Sequence, residues 1–154
     1  MMSEQLKFKR RSLLLGAMLA LAASPASAEA PGLATLMHNM QTHLHKTQLS
    51  VAARNAPLAY FYIHELEETA AYIGANIEEY DGHPVGALAE SMLIPALERL
   101  ESAVKAEDWD AGEARFADAM KTCNACHALT DHAMVRIAPA EGNPFAQDFS
   151  VTPD

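Results

Sequence analysis

Apolar side chains return at three- and four-residue steps along most of the chain, and no stretch alternates polar with apolar residues as a half-buried strand does. The first stripe is Leu33, Met37, Met40, Leu44 and Val51, within a segment from about Pro31 to Ala53. Asn55-Ala56-Pro57 breaks it. Asn caps helix N-termini well and Pro is tolerated in a first turn, so a second helix is expected from here to about Tyr80. Its stripe is Leu58, Phe61, Tyr62, Leu66, Ala70, Ile73 and Ile77, and Glu67, Glu68, Glu78 and Glu79 mark the wet face. Asp81-Gly82-His83-Pro84 has the composition of a turn. A third helix is expected from about Val85 to Ala106, kinked or split near Leu93 and Ile94, because Pro95 lacks a donor and clashes with the preceding turn. The fourth is expected from Asp110, whose spacing to Glu113 is that of a capping box, to about Thr130.

Four amphipathic helices of roughly twenty residues on short connections predict an all-α fold, an antiparallel four-helix bundle at residues 29–130. From Asp131 to Asp154 there are Pro139, Gly142, Pro144 and Pro153 and no stripe. That predicts an irregular tail, packed over the bundle or frayed.

The start of the chain has a different grammar. Lys7, Lys9, Arg10 and Arg11 precede the apolar run Ser12 to Ala23, and Ala26-Ser27-Ala28 is a small-residue cleavage pattern. Residues 1–28 therefore read as an export signal cut after Ala28, which places the product in the periplasm with no membrane segment left. An uncleaved anchor is the competing reading, but the run is shorter than the ~20 residues a bilayer span needs. Arg10-Arg11 leaves the twin-arginine route open beside the general one.

Removing the signal sharpens the charge. The whole chain has formal net charge -9; the signal holds four basic and one acidic residue, so the remainder has 7 Lys plus Arg against 19 Asp plus Glu, or -12. Nucleic acid is a poor partner for such a chain, since phosphate neutralisation needs clustered cations. The acid is either a solvated coat or a means of steering toward basic-surfaced partner proteins.

Chemistry concentrates in Cys123-Asn124-Ala125-Cys126-His127, a C-x-x-C-H sequence that uses both cysteines of the chain. This is the attachment signature of c-type haem: two thiols bond the two vinyl groups and the next imidazole binds iron. On a helix the two cysteines are three apart and His127 is four beyond Cys123, so all three share one face. Other uses are a redox dithiol, expected in a βαβ setting, a zinc site, which needs a fourth ligand, and a disulfide closing a very small loop. One covalent haem c per chain, held by Cys123, Cys126 and His127, is the expected cofactor.

Helix rise suggests what could face the iron from the other side. His127 lies 17 residues after Asp110, about 26 Å along the helix. In an antiparallel bundle that level falls near Leu36 to Met40 on the first helix, Ile73 to Ala75 on the second and Ala89 to Met92 on the third. Met40 and Met37 are the leading distal candidates, with plain core packing as the alternative. His38, His43 and His45 are mostly off the stripe, His64 is about 16 Å from that level, and His83 and His132 are within reach of the haem edge.

With C-x-x-C-H near the end of four helices behind an export signal, the chain resembles cytochrome c′. The run Ala119 to Thr130, with Asn143-Pro144-Phe145, also resembles small exported monohaem c-type cytochromes. The resemblance implies one of two non-enzymatic functions. One is one-electron transfer to redox partner proteins with methionine or histidine opposite His127. The other is binding of nitric oxide or another small gas at five-coordinate iron. It also implies possible pairing into a homodimer through an exposed helix face.

Overall fold

The computed structural model describes residues 30–151. The inferred signal at residues 1–28 and the last residues of the tail lie outside that range. Helix α1 spans Leu33–Ala52 and α2 spans Ala56–Asn76. Helix α3 runs continuously through three segments, Val85–Leu88, a wide π turn at Ala89–Leu93, and Ile94–Lys105. Helix α4 spans Trp109–Leu129. The one β-type pairing among the described residues is the isolated bridge between Tyr80 and His83.

Two junctions use the same device. Arg54 and Glu107 take left-handed backbone, with φ of 54° and 52°. Asn55 N–H donates to Ser50 O at 3.0 Å and Arg54 N–H to Val51 O at 2.9 Å, while Asp108 N–H donates to Ala103 O at 3.1 Å and Glu107 N–H to Val104 O at 3.0 Å. Each is a Schellman cap that satisfies the orphan carbonyls of the ending helix. The next side chain then starts the following helix: Asn55 Oδ1 accepts from Leu58 N–H at 3.2 Å, and Asp108 Oδ1 accepts from Ala111 N–H at 3.1 Å. Connections this tight force consecutive helices to run antiparallel. Asp108 therefore caps α4, not Asp110, because the Schellman turn leaves Asp110 already inside the first turn.

Helix α2 stops at Asn76, short of the expected Tyr80. Tyr80 exchanges both backbone bonds with His83, at 2.9 and 3.0 Å, around Asp81 (φ 50°) and Gly82 (φ 81°). Two positive φ values make this a type I′ turn, the form that Asp-Gly favours. Gly86 lets α3 press onto the end of α2, since a Cβ there would lie 2.7 Å from Ile77 O.

The α2 core face is Ala59, Ile63, Leu66, Ala70 and Ile73, all buried at four- and three-residue steps. Phe61, expected on that face, is 51 % exposed because the true stripe is rotated toward Ala59 and Ile63. Against this face pack Leu97, Leu100 and Val104 of α3 and Leu36, Met40, Leu44 and Val51 of α1. Buried Thr47 and Ser50 donate to His43 O and Lys46 O one turn back, so their hydroxyls cost little. Pro95 explains the π turn: it offers no N–H to Ser91 O, and the ladder widens ahead of it where a kink was expected.

Helix α1 packs on α2, α2 on α3 and α3 on α4, and α4 meets α1 along a sparser seam. The tail lies over the bundle as a strap. His45 Nε2–H donates to Ala138 O at 3.1 Å, Ala140 N–H to Gln48 Oε1 at 2.8 Å, and Tyr62 O–H to Gln147 Oε1 at 2.7 Å. Asn55 Nδ2 reaches Phe149 O at 3.2 Å and Ser150 O at 2.8 Å, and Phe149 is buried. No helix among the described residues is long and apolar enough to cross a membrane.

Candidate functional site

The seam between α1 and α4 opens into a cavity of about 400 Å³. Its walls are Leu33, Met37, Met40 and Leu44 of α1, Leu66 and Ile73 of α2, and Val85, Ala89, Leu93 and Leu97 of α3. Cys123, Cys126 and His127 of α4 complete it, and Val135 and Ile137 of the strap roof it. The structure thus brings Cys123, Cys126, His127, Met37 and Met40 to one space. The levels assigned from helix rise agree with the lining at Met37, Met40, Ile73 and Ala89. Met40 is buried within the core cluster, whereas Met37 is half-buried against it.

Both cysteines are free thiols. Burial pushes the Cys123 thiol up to about 11, with the neighbouring Cys126 adding to the shift, and burial raises Cys126 as well. Both are therefore protonated at neutral pH. A thiol-disulfide catalyst depends on the opposite shift, toward a stable thiolate.

His127 is oriented by a bond that sequence periodicity does not reveal. Its Nδ1 lies 2.7 Å from Val135 O. A carbonyl only accepts, so Nδ1 carries a proton, and in the neutral ring this leaves the lone pair on Nε2, the arrangement of a metal-binding imidazole. Val135, Ile137, Thr130 and Tyr80 also line the cavity and carry no signal in the sequence that points to this role.

The remaining histidines divide by place. His38 and His132 line the cavity. His64 is exposed and pairs with Glu68 at 3.3 Å, His43 lies tilted against Tyr62 with ring centroids 5.9 Å apart, and His45 holds the strap. At one rim two pairs cross between the α2–α3 turn and the end of α4: His83 Nε2 to Asp131 Oδ2 at 3.4 Å, and His132 Nε2 to Asp81 Oδ2 at 3.9 Å.

These residues fit a covalently held haem. The space is mainly apolar and lies within the ~300–1,000 Å³ of ordinary ligand pockets. Cys123, Cys126 and His127 line it from one helix, and Met37 and Met40 line it from another. Among the described residues, no three of the His, Cys, Asp and Glu side chains converge to hold a bare metal ion. Comparison with protein-family models, with curated proteins and with solved structures returned no match.

Proposed function

We propose that this chain is an exported monohaem c-type cytochrome, similar to cytochrome c′ in its helical frame, that carries one electron between partner proteins. The observation that carries the reading is the meeting of Cys123, Cys126 and His127 in one apolar cavity, with His127 Nδ1 already committed to Val135 O. Bound haem would supply the one-electron iron couple. Cys123 and Cys126 would each hold it by a thioether, the thiol hydrogen passing to the vinyl carbon, so the bond needs no leaving group. His127 Nε2 would bind the iron, and the apolar α1 and α3 walls would shield it in part from water. Met40 or Met37 would offer a thioether sulfur as a second ligand to the iron.

The second reading, binding of nitric oxide or a similar gas, is favoured by the apolar α1 wall of Leu33, Met37, Met40 and Leu44. Spectra of ferric and ferrous protein from the periplasm separate the two. A pyridine haemochrome of c type, with pigment that stays with the protein in acidic organic solvent, is expected; extractable haem or none overturns the haem assignment. A six-coordinate low-spin spectrum that becomes five-coordinate and high-spin in Met40→Ala or Met37→Ala supports electron transfer. A high-spin ferrous wild type that shifts on adding nitric oxide overturns it in favour of gas binding.

A further inference from the structure

The strap that supplies the acceptor for His127 is itself fixed from inside the C-x-x-C-H segment. Asn124 Nδ2 donates to Ile137 O at 2.9 Å and Ile137 N–H donates to Asn124 Oδ1 at 2.7 Å. One planar amide thus pairs with both the N–H and the C=O of a single residue, as a neighbouring strand would, and only Asn and Gln carry donor and acceptor together in that form. Asn124 and His127 are three apart and therefore neighbours on α4. Between the residues they hold, Ile137 and Val135, lies one residue.

The segment has a second attachment. His132 N–H donates to His127 O at 2.7 Å, a Schellman bond around Asp131 at φ 59°. Val135 N–H then donates to His132 O at 2.8 Å. The chain from residue 132 to 137 is accordingly pinned at both ends, and the Val135 carbonyl stands between the pins. Without the Asn124 pin, the next anchor beyond Val135 is the His45 bond at Ala138, three residues on, and Val135 O has more freedom to leave Nδ1.

We propose that Asn124 is a positioning residue for His127: its amide clamp on Ile137 holds the Val135 carbonyl where it fixes the tautomer and ring angle of His127 and raises the basicity of Nε2. The proposal rests on the haem reading. Groups of this outer kind commonly change metal affinity or activity by ~10–100-fold when lost. A less basic imidazole stabilises ferric iron less, so loss of the clamp favours the ferrous state and raises the reduction potential.

The test compares holoprotein purified from the periplasm for wild type, Asn124→Ala, Asn124→Leu and Gln48→Ala. Asn124→Leu keeps the side-chain size without polar atoms, and Gln48→Ala removes the two strap bonds at Ala140, five residues beyond Val135. The expected result is a potential raised in both Asn124 variants by a tenfold change in the ferric-to-ferrous equilibrium, about 59 mV for one electron. Gln48→Ala is expected to lower the melting temperature and leave the potential in place. If the Asn124 variants keep the wild-type potential, or Gln48→Ala moves it equally, the positioning role is overturned while a c-type haemochrome still supports the haem reading. If wild type holds no covalent haem, the reading beneath the proposal fails instead.

Discussion

On the haem reading, Cys123→Ala with Cys126→Ala would remove both attachment points, and the consequence for stability can be worked from the cavity. An unfilled cavity costs about 24 cal/mol per Å³ in protein cores, so 400 Å³ sets a ceiling of about 10 kcal/mol. The mouth is open to water and the walls can relax inward, so about half of that ceiling is a fair expectation. Domains of this size are stable by only ~5–15 kcal/mol in total. The haem-free chain should therefore lose several kcal/mol and pass close to the limit of cooperative folding. Urea unfolding checks the midpoint, and near-ultraviolet circular dichroism with dye binding checks whether helices persist after fixed packing is lost.

The same reasoning predicts an effect of opposite sign. Ala89 is buried and lines the cavity from the π turn. Ala89→Leu adds three carbons to that wall, worth about 2 kcal/mol of apolar burial, and should recover that much in the haem-free chain. In the haem-attaching chain it should instead lower the yield of holoprotein, because the added carbons occupy the same space. A double cysteine variant as resistant to urea as the haem-bearing protein would refute the reasoning. So would Ala89→Leu destabilising both forms alike.

Asn55→Ala should cost about 2–4 kcal/mol, adding loss of an N-cap to loss of the bonds to two strap carbonyls. Asn55→Asp keeps the cap acceptor but not the donors, so a calorimetric melt of the Asp variant should fall between wild type and Asn55→Ala; equal melts for Asp and wild type would dismiss the strap contact. Glu67 has one carboxylate oxygen without a partner, and its carboxyl is held above the ordinary 4.5, first by burial and then by Glu101 and, more weakly, Glu98. The folded state thus holds that proton more tightly than the unfolded state, so this contribution is fully present below pH 4.5 and is lost as pH rises through the folded value. Glu67→Gln should therefore be more stable than wild type at pH 7, by no more than about 0.5 kcal/mol at a site only partly shielded from water, with the gap closing below pH 4.5; a gap unchanged with pH counts against it.

The helices and their order were legible because burial imposes a period on sequence, and α1 to α4 each carry it. What periodicity could not locate was anything made by single polar groups. Asp108 and Asp110 are equally good caps by type, and only the left-handed Glu107 decides between them. Phe61 is as apolar as Tyr62, yet a rotation of the stripe by one position puts it in water. That Cys123, Cys126 and His127 share one face was legible because their three- and four-residue spacing is that of a helix, and that Met37 and Met40 line the same cavity because rise per residue fixes level. Val135 was not, because its contribution is a backbone carbonyl, which every residue possesses.

The strap has a structural logic that follows from the cavity. A bundle of four helices ordinarily closes by packing its first helix on its last, but here the space lined by Met37, Met40, Cys123 and His127 lies in that seam. The chain after Leu129 crosses it. Asn124 of α4 holds residue 137, His45 and Gln48 of α1 hold residues 138 and 140, and Val135 and Ile137 face the cavity between the two anchorages. A segment with no period and several prolines suits this work, since neither helix nor sheet would present single carbonyls to His45, Asn124 and His127 in turn. The aperiodic tail is then what covers part of an apolar seam that the helices leave open, and the side chains that tie it down belong to the helices on either side.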